Sequence, residues 1–400
     1  MIDDLIEEKR DPLPNRHAST WTDFLLGIYQ VGLATGNRRY IDAALKGAKV
    51  IRDKHLFITG SMSSQEVSRP GNDGWQLQES QQAQETCCAG IWVAFLQNLL
   101  HGTGDMAHAD CLEQAAFNDL FASQNPEVGD FCYFLNLLGD DKPYDPPPAY
   151  GRHCWEGNGL MGIARLPGLI YGKTRNGIAI NLYGASEAST EYAGTRLKIS
   201  QQTDYPSGGV VLIRVAPERA QRFALQFRIP SWCSSAPGVQ VNGAATTANG
   251  VIDREWNAGD TVRLEFPMGP TILQQVLNGA PRIALRWGPT VPAGTWEDGL
   301  PVRKSRDIPA QGARSRADVW PYVPSVLLGG RAGTSIKRSA GQPAAFEAEA
   351  VPAAVLSADE ADLRTVALAA GPHRIKLRFQ PFYSVTRGKY SVWFPTMQKG

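Results

Sequence analysis

The spacing of apolar residues changes once along the 400-residue chain, from a helical period to a strand period. In the first 175 residues, apolar side chains recur every three to four positions, as on one face of a helix. The clearest run, residues 88–100, forms a stripe wide enough to pack against two neighbours, and Pro167 should end or kink the last helix. After Lys173 the period falls to two. The sequence therefore predicts a helical unit followed by an antiparallel β-sandwich.

These periods divide the chain into three predicted parts. Residues 1–174 form the helical unit, residues 175–298 the β-sandwich, and residues 299–400 a loop-rich linker with C-terminal β-strands. The linker prediction depends on a composition rich in Arg, Ala, Gly, Ser and Pro, with little periodicity, up to residue 350. Strand spacing returns at residues 373–379 and 389–394.

Composition excludes several classes of partner. Lys and Arg number 40 against 39 Asp and Glu, so the balance favours neither nucleic acid nor an acidic membrane surface. No apolar run approaches the roughly 18 residues that span a bilayer, and the acidic opening lacks the apolar core of a signal peptide. Six cysteines are too few for a disulfide scaffold, and reduced thiols favour the cytoplasm. Ten Trp and twelve Tyr leave a sugar-binding role open.

Two cysteine-containing segments carry residues suited to zinc. Gln84-Glu85-Thr86-Cys87-Cys88 opens the strongest helix, and Arg152-His153-Cys154-Trp155-Glu156-Gly157 opens the last one. Zinc accepts thiolate and carboxylate ligands together. Within a regular helix Glu85 and Cys87 would point about 200° apart, so joint ligation requires a non-helical lead-in. Buried apolar thiols are the alternative, and the spacing alone favours them, because no closely spaced zinc signature is present.

The other polar residues are ordinary when each is considered alone. His17 precedes a helix beside good cap residues, which suits a surface or cap histidine. Glu66 lies in a Gly/Ser-rich loop, where most glutamates are solvated. Glu113 and Tyr133 are equally unremarkable in their surroundings. These residues by themselves indicate no particular reaction.

The order of several short segments is more specific than any one of them. The helical part contains Asn15-Arg16-His17-Ala18-Ser19-Thr20, Ile58-Thr59-Gly60 followed by Glu66, Glu85-Thr86-Cys87, Glu113-Gln114-Ala115-Ala116-Phe117-Asn118, Phe131-Cys132-Tyr133, and Cys154 with Gly157-Asn158-Gly159. The β part contains Phe227-Arg228-Ile229-Pro230-Ser231-Trp232, Val241-Asn242-Gly243, Trp256-Asn257-Ala258-Gly259-Asp260 and Gly288-Pro289-Thr290. In this order the set resembles glycoside hydrolase family 127, the β-L-arabinofuranosidase type.

The resemblance implies a fold and a set of roles. The fold would be an (α/α)6 barrel followed by β-sandwich domains, and the reaction a retaining hydrolysis of a β-L-arabinofuranoside or related sugar from plant-type glycans. Cys154 would be the nucleophile, and Glu66 the general acid and then the base. The remaining implied residues are the zinc ligands Glu85, Cys87 and Cys154, and the sugar-pocket residues His17, Glu113 and Tyr133.

The chain departs from the family pattern in two ways. Trp155 stands where the family has a second zinc-binding cysteine, so a fourth ligand would have to be His153, Cys88, Glu156 or water. Family chains are also longer, with about half the barrel before the first matching segment. The expectation is therefore a partial (α/α)6 barrel whose exposed apolar flank favours a homo-oligomer.

Two other functions compete with a zinc-dependent glycosidase. The chain could be a non-catalytic, degenerate member that binds carbohydrate or a partner, which the Trp155 replacement favours. It could instead be a metal-independent sugar-active enzyme that uses Glu66 and Glu113 as an acid/base pair, since a shared architecture does not fix the chemistry.

Overall fold

The computed structural model describes residues 2–7, 11–64, 66–68, 83–144, 153–277, 280–297, 325–328, 336–339, 345–351, 353–357, 363–367 and 375–398. The helices are α1 (Ile2–Ile6), α2 (Ala18–Thr35), α3 (Arg38–Lys54), α4 (Thr86–Thr103), α5 (Met106–Ala115), α6 (Phe121–Ser123) and α7 (Cys154–Arg165). A π-helical turn, Ala116–Leu120, joins α5 to α6. Among the described residues, no helix is both long and apolar enough to cross a membrane.

Helix α4 lies at the centre of the helical part. It packs against α2, α5 and α7, which is one neighbour more than its apolar stripe predicts. Most of its side chains are buried, and it ends at Gly104, whose φ of 69° suits a glycine C-cap. Helix α7 ends at Arg165, and a 3₁₀ turn containing Pro167 follows, as the proline predicts.

Helices α4 and α7 approach closely because small residues line their contact. A Cβ on Gly90 would lie 2.1 Å from the carbonyl oxygen of Asn158, and a Cβ on Gly162 would lie 3.1 Å from the Cα of Gly90. Gly90 and Asn158 each lie one turn into their own helix. The two helices therefore begin beside each other, which brings residues 85–88 close to Cys154.

The middle of the chain forms two sheets around one apolar core. The four-stranded sheet has the order β10-β7-β3-β2, and the six-stranded sheet the order β4-β5-β6-β11-β8-β9. Their strands are β2 (Tyr171–Thr174), β3 (Gly177–Ile180), β4 (Ser186–Tyr192), β5 (Thr195–Thr203), β6 (Val210–Pro217), β7 (Gln221–Phe227), β8 (Gly238–Val241), β9 (Ala244–Ala245), β10 (Val251–Trp256) and β11 (Asp260–Glu265). Ile178 and Leu225 of one sheet and Ile213 of the other belong to the same buried cluster. The pairing is antiparallel except between β3 and β7.

A third, ten-stranded sheet includes residues from distant parts of the chain. Its order is β1-β21-β14-β20-β17-β15-β22-β13-β12, with β16 paired to β17. Its strands are β1 (Leu138–Asp140), β12 (Pro270–Leu277), β13 (Ala280–Trp287), β14 (Pro292–Trp296), β15 (Ser325–Leu328), β16 (Lys337–Arg338), β17 (Phe346–Val351), β20 (Ile375–Pro381), β21 (Lys389–Ser391) and β22 (Phe394–Gln398). A separate hairpin pairs β18 (Ala353–Ser357) with β19 (Leu363–Ala367). The pairing within the large sheet is antiparallel except between β15 and β22.

The prediction of helices followed by antiparallel sheets is confirmed, with two local differences. Strand β1 lies in the part predicted to be helical, and it pairs with β21 near the C-terminus. Strands β15, β16 and β17 lie in the part predicted to be loop-rich. The rest of that segment, including residues 298–324, lies outside the described residues, as do residues 373 and 374 of a predicted strand.

The π-helical turn attaches the helical part to the large sheet. The side-chain amide of Asn118 donates to the carbonyl of Pro289 at 2.9 Å and accepts from the backbone N–H of Val291 at 2.7 Å. Both of these bonds are buried, so they fix the end of α5 relative to the β13–β14 connection.

Candidate active site

The structure brings the three predicted metal ligands together. One ligand atom from each of Glu85, Cys87 and Cys154 lies within 4.8 Å of the other two. Glu85 and Cys87 are buried, whereas Cys154 is exposed. Two thiols and a carboxylate converging from two helix starts form a donor set that fits zinc, because zinc binds sulfur and oxygen in a compact tetrahedral arrangement.

The electrostatics of this cluster disfavour its anionic forms. Burial raises the pKa of Cys87 well above its usual value, and the neighbouring Glu85 carboxylate adds to the increase. Burial also raises the pKa of Glu85, although hydrogen bonds from Cys87 and Cys88 oppose the shift. A divalent cation among these groups would offset both effects, since an adjacent positive charge stabilises thiolate and carboxylate alike.

Glu85 reaches the cluster because it stands just outside α4. Its backbone is extended, with φ −61° and ψ 127°, so the non-helical lead-in required for joint ligation with Cys87 is present. The Glu85 backbone N–H donates to the Ser63 hydroxyl at 2.8 Å, and the next N–H, that of Thr86, donates to the Tyr133 carbonyl at 3.0 Å. The start of α4 is therefore held by both the Glu66 loop and the Tyr133 segment.

Cys154 is the first residue of α7. The residue before it, His153, donates its backbone N–H to the Glu156 carboxylate at 3.0 Å, a bond typical of a helix start. The first turn of α7 therefore fixes the backbone on which the Cys154 side chain is mounted.

Glu66 lies beside two of the predicted sugar-pocket residues. The Tyr133 hydroxyl donates to the Glu66 carboxylate, and the His17 Nε2 lies 3.8 Å from the other carboxylate oxygen. The Glu66 carbonyl accepts from the backbone N–H of Ala18 at 2.8 Å, which attaches this loop to the start of α2. The φ of Glu66 is 63°, an unusual value for a non-glycine residue and one often found at functional sites.

Tyr133 connects Glu66 to the cysteine cluster. Its ring stacks on Trp155, the residue after Cys154, with the ring centres 4.5 Å apart. Burial, together with the hydrogen bond to Glu66 and negative charge on Glu66, Glu85 and Cys154, raises the pKa of Tyr133 well above its usual value. Tyr133 therefore acts as a neutral hydrogen-bond donor in this site.

Trp155 occupies a stack of rings, with no metal-binding role. Besides Tyr133, its indole stacks on His153, with ring centres 4.3 Å apart and planes 11° apart. Of the three side chains considered for a fourth ligand, His153 stacks on the indole, Cys88 donates its S–H to the Glu85 carboxylate of the cluster, and Glu156 caps α7. Within the described part of the chain, the metal-binding group contains three residues.

Glu113 makes its contacts in a different place from the other predicted site residues. Its carboxylate pairs with the fully buried guanidinium of Arg228 and accepts from the Tyr205 hydroxyl at 2.5 Å and the Trp232 indole at 3.1 Å. Both carboxylate oxygens are thus engaged at the contact between α5 and the β part. Glu66 and Glu113 have separate partners, which gives no support to an acid/base pair formed by these two carboxylates.

Comparison with known proteins identifies the family. Residues 2–168 match the family model for the β-L-arabinofuranosidase GH127 catalytic domain, and residues 177–268 match the model for the GH127 middle domain. The chain belongs to glycoside hydrolase family 127. The resemblance found in the sequence motifs is therefore confirmed.

Known relatives of this family 127 chain are considerably longer. It is 25% identical over 288 residues to a non-reducing end β-L-arabinofuranosidase of Bifidobacterium longum subsp. longum, covering 66% of this chain and 43% of that protein. A GH127 β-L-arabinofuranosidase structure from Geobacillus stearothermophilus T6 has a TM-score of 0.72 at 21% identity, over 98% of this chain and 62% of that one. A further GH127 β-arabinofuranosidase structure has a TM-score of 0.73 at 22% identity, over 99% and 63%. The chain thus spans less than half of the curated relative.

Several residues that shape the candidate site are not evident from motif spacing. Ser63 holds the start of α4, Trp155 supports Tyr133, and Arg228 neutralises Glu113. Arg228 lies in one of the family motifs, Phe227-Arg228-Ile229-Pro230-Ser231-Trp232. The sequence alone does not show that its guanidinium pairs with a carboxylate of α5, because that contact forms only in the folded chain.

Proposed function

We propose that this chain is a retaining glycoside hydrolase that releases β-L-arabinofuranose or a related sugar from plant-type glycans. Family membership supports the reaction class, and the relatives named as β-L-arabinofuranosidases support the sugar. The observation that carries the proposal for this chain is the position of Tyr133, which bonds to Glu66 and stacks on Trp155, the residue after Cys154.

In the proposed reaction, Cys154 and Glu66 act in two displacements. The Cys154 sulfur attacks the anomeric carbon, the bond to the leaving oxygen breaks, and Glu66 gives its proton to that oxygen. Glu66 then takes a proton from water, which attacks the same carbon and releases the Cys154 sulfur. Tyr133 orients the Glu66 carboxylate through its hydrogen bond in both steps. His17, 3.8 Å from Glu66 and half exposed, would contact the sugar hydroxyls.

We further propose that Glu85, Cys87 and Cys154 hold zinc. Bound there, zinc would keep the Cys154 sulfur ionised near neutral pH. Glu85 and Cys87 are buried and would anchor the ion, whereas exposed Cys154 remains accessible to a sugar. Three protein ligands and one open position are typical of catalytic zinc sites.

For Glu113 we propose a structural role, because both of its carboxylate oxygens are bonded to Arg228, Tyr205 and Trp232.

The nucleophile is tested with Cys154→Ser and an aryl β-L-arabinofuranoside. We expect hydrolysis to be lost, because a serine hydroxyl is a far weaker nucleophile than a thiolate. Cys233→Ser is the matched control, since this half-buried thiol lies in the β part, and it should leave the rate unchanged. Wild-type activity in Cys154→Ser would exclude the thiolate mechanism.

The acid role of Glu66 is tested by varying the leaving group. Glu66→Gln cannot donate a proton, so hydrolysis of poor alkyl leaving groups should fall far more than hydrolysis of activated aryl ones. An equal loss on both substrate types would contradict the assignment.

Metal content is measured independently of activity. Elemental analysis of the purified chain should find one zinc per molecule, and Glu85→Gln or Cys87→Ser should lower that value. Wild-type protein without stoichiometric zinc would refute the metal proposal and favour the non-catalytic alternative. That alternative is supported by one observation, the stacked Trp155 at the position of a family ligand.

For the architecture, we propose that the helical unit, residues 1–174, is part of an (α/α)6 barrel, followed by a β-sandwich, residues 175–298, and a C-terminal part, residues 299–400. Two apolar side chains of α2, Val31 and Leu33, are about half exposed. We therefore expect self-association, which light scattering would detect; a monomer at high concentration would contradict it.

A further inference from the structure

A cavity lies between the helical part and the two β regions. Its volume is about 430 Å³, which is within the range of small-molecule sites. Residues of α5, the segment after β7, and the β12–β13 hairpin contribute to its walls. None of Glu66, Cys154 and Tyr133 is among the residues that line it, so it is separate from the proposed catalytic site.

One wall of the cavity carries a guanidinium that has no direct partner in the described part of the chain. Arg286, on β13, is half-buried in the wall, and its guanidinium has no hydrogen-bond or ion-pair partner among the residues that the structure describes. Removal from water lowers the pKa of this guanidinium. A partly desolvated guanidinium without a counter-ion is unfavourable, and planar oxyanions are the groups it binds best.

Two free hydrogen-bond acceptors share the cavity with this cation. Asp110 accepts from Arg228 at 2.5 Å through Oδ1, which leaves its Oδ2 without a partner in the described part of the chain. Gln114 donates from Nε2 to the Ile58 carbonyl at 2.7 Å, which leaves its Oε1 similarly free. Carboxylate and amide oxygens that face a cavity suit the hydroxyl donors of a ligand.

Trp232 adds an aromatic surface to the same wall. Its indole N–H is committed to Glu113 at 3.1 Å, so the ring is fixed and offers apolar contact to the cavity. A ligand that satisfies every group here has an oxyanion for Arg286, hydroxyl groups for Asp110 and Gln114, and C–H groups that pack on the indole.

We propose that this cavity binds a sugar acid, that is, a polyhydroxylated ring bearing a carboxylate, such as a hexuronate. Its carboxylate pairs with Arg286, its hydroxyls donate to Asp110 and Gln114, and its ring packs on Trp232. The site is independent of the glycosidase activity proposed above.

Calorimetric titration with galacturonate tests this proposal, with galactose, acetate and inorganic phosphate as the other ligands. Galacturonate should bind with a stoichiometry of one, whereas galactose lacks the anion and the two simple anions lack the hydroxyls. The methyl glycoside of galacturonate shows whether the site takes a linked uronate as well as the free acid. Arg286→Gln should weaken binding at least about tenfold, the loss expected for a charge-assisted hydrogen bond. Arg286→Lys, which keeps the charge without the planar fork, should give an intermediate loss.

Two control variants locate the binding. Arg263→Gln removes an exposed guanidinium of β11 that pairs with Glu265, and it should bind galacturonate like the wild type. Glu66→Gln should also bind normally, because Glu66 does not line this cavity. The proposal is overturned if the wild type does not bind galacturonate, if galactose, acetate or phosphate binds as tightly, if both Arg286 variants bind like the wild type, or if Glu66→Gln abolishes binding.

Discussion

A buried carboxyl group in the π-helical turn, that of Asp119, allows a quantitative prediction about stability. Asp119 has no exposed surface, and neither of its carboxyl oxygens has a hydrogen-bond partner among the described residues. Burial raises its pKa from the usual value of 3.8 to about 8, although the nearby Ser61 hydroxyl and Lys142 charge oppose the shift. The nearby Lys142 ammonium instead donates to the carbonyls of Ala122 and Phe382, at 2.6 and 2.8 Å. Asp119 is therefore protonated in the folded chain near neutral pH.

The sign and size of the effect follow from proton linkage. The pKa of Asp119 is higher in the folded chain than in the unfolded one. Its contribution to the free energy of unfolding is therefore fully present below about pH 4 and is lost as pH rises towards 8. The loss at pH 7 is about 4 kcal/mol, at roughly 1.4 kcal/mol per pH unit. Asp119→Asn is neutral at every pH, so it avoids this loss. Burying its extra N–H donors costs about 1–3 kcal/mol at all pH values, which leaves the slope unchanged.

Urea unfolding at pH 5, 6 and 7, followed by the helical circular dichroism signal, measures this slope. The free energy of unfolding of Asp119→Asn, relative to the wild type, should rise by about 1.4 kcal/mol per pH unit. Asp253→Asn, which changes an exposed carboxylate on β10, is the control and should show no such slope. A flat or falling difference would mean that Asp119 is ionised and paired with Lys142, and the reasoning would be refuted.

Two further predictions concern residues outside the metal cluster. Arg228→Gln leaves Glu113 buried without its cation, so it should lower the free energy of unfolding in urea by about 3–5 kcal/mol. The control Arg222→Gln breaks an exposed ion pair and should lower it by less than about 1 kcal/mol. Similar losses in the two variants would contradict the role given to Arg228. Tyr133→Phe keeps the ring stack but removes the hydrogen bond to Glu66, so kcat/KM for an aryl arabinofuranoside should fall roughly tenfold to a hundredfold. An unchanged kcat/KM would show that the hydroxyl does not act on Glu66.

The elements with strong local patterns could be predicted from the sequence. Helix α4 has a continuous apolar stripe and a glycine stop, and β7 lies in the part where the apolar period falls to two, so local rules suffice for both. Strand β1 could not be predicted, because its three residues, Leu138–Asp140, gain their strand character from pairing with Lys389–Ser391. A pairing across some 250 residues leaves no local signal.

In the candidate site, too, some residues could be predicted from the sequence and others could not. Family motifs led to Glu66, Glu85, Cys87 and Cys154, and the last three converge because Gly90 lets α4 and α7 cross closely. Side-chain partners that depend on packing were not predictable. The stack of Trp155 on Tyr133 is one example, and the engagement of Glu113 by Arg228 is another, since both join residues from separate elements.

The most direct test of the account is to trap the covalent intermediate. Glu66→Gln protein incubated with an activated aryl β-L-arabinofuranoside should form the intermediate but release it slowly, because the base for water is missing. Intact-mass and peptide mass spectrometry should then find one added pentosyl group on Cys154. An adduct on another residue, or rapid turnover with no adduct while Cys154→Ser stays active, would contradict the proposed nucleophile.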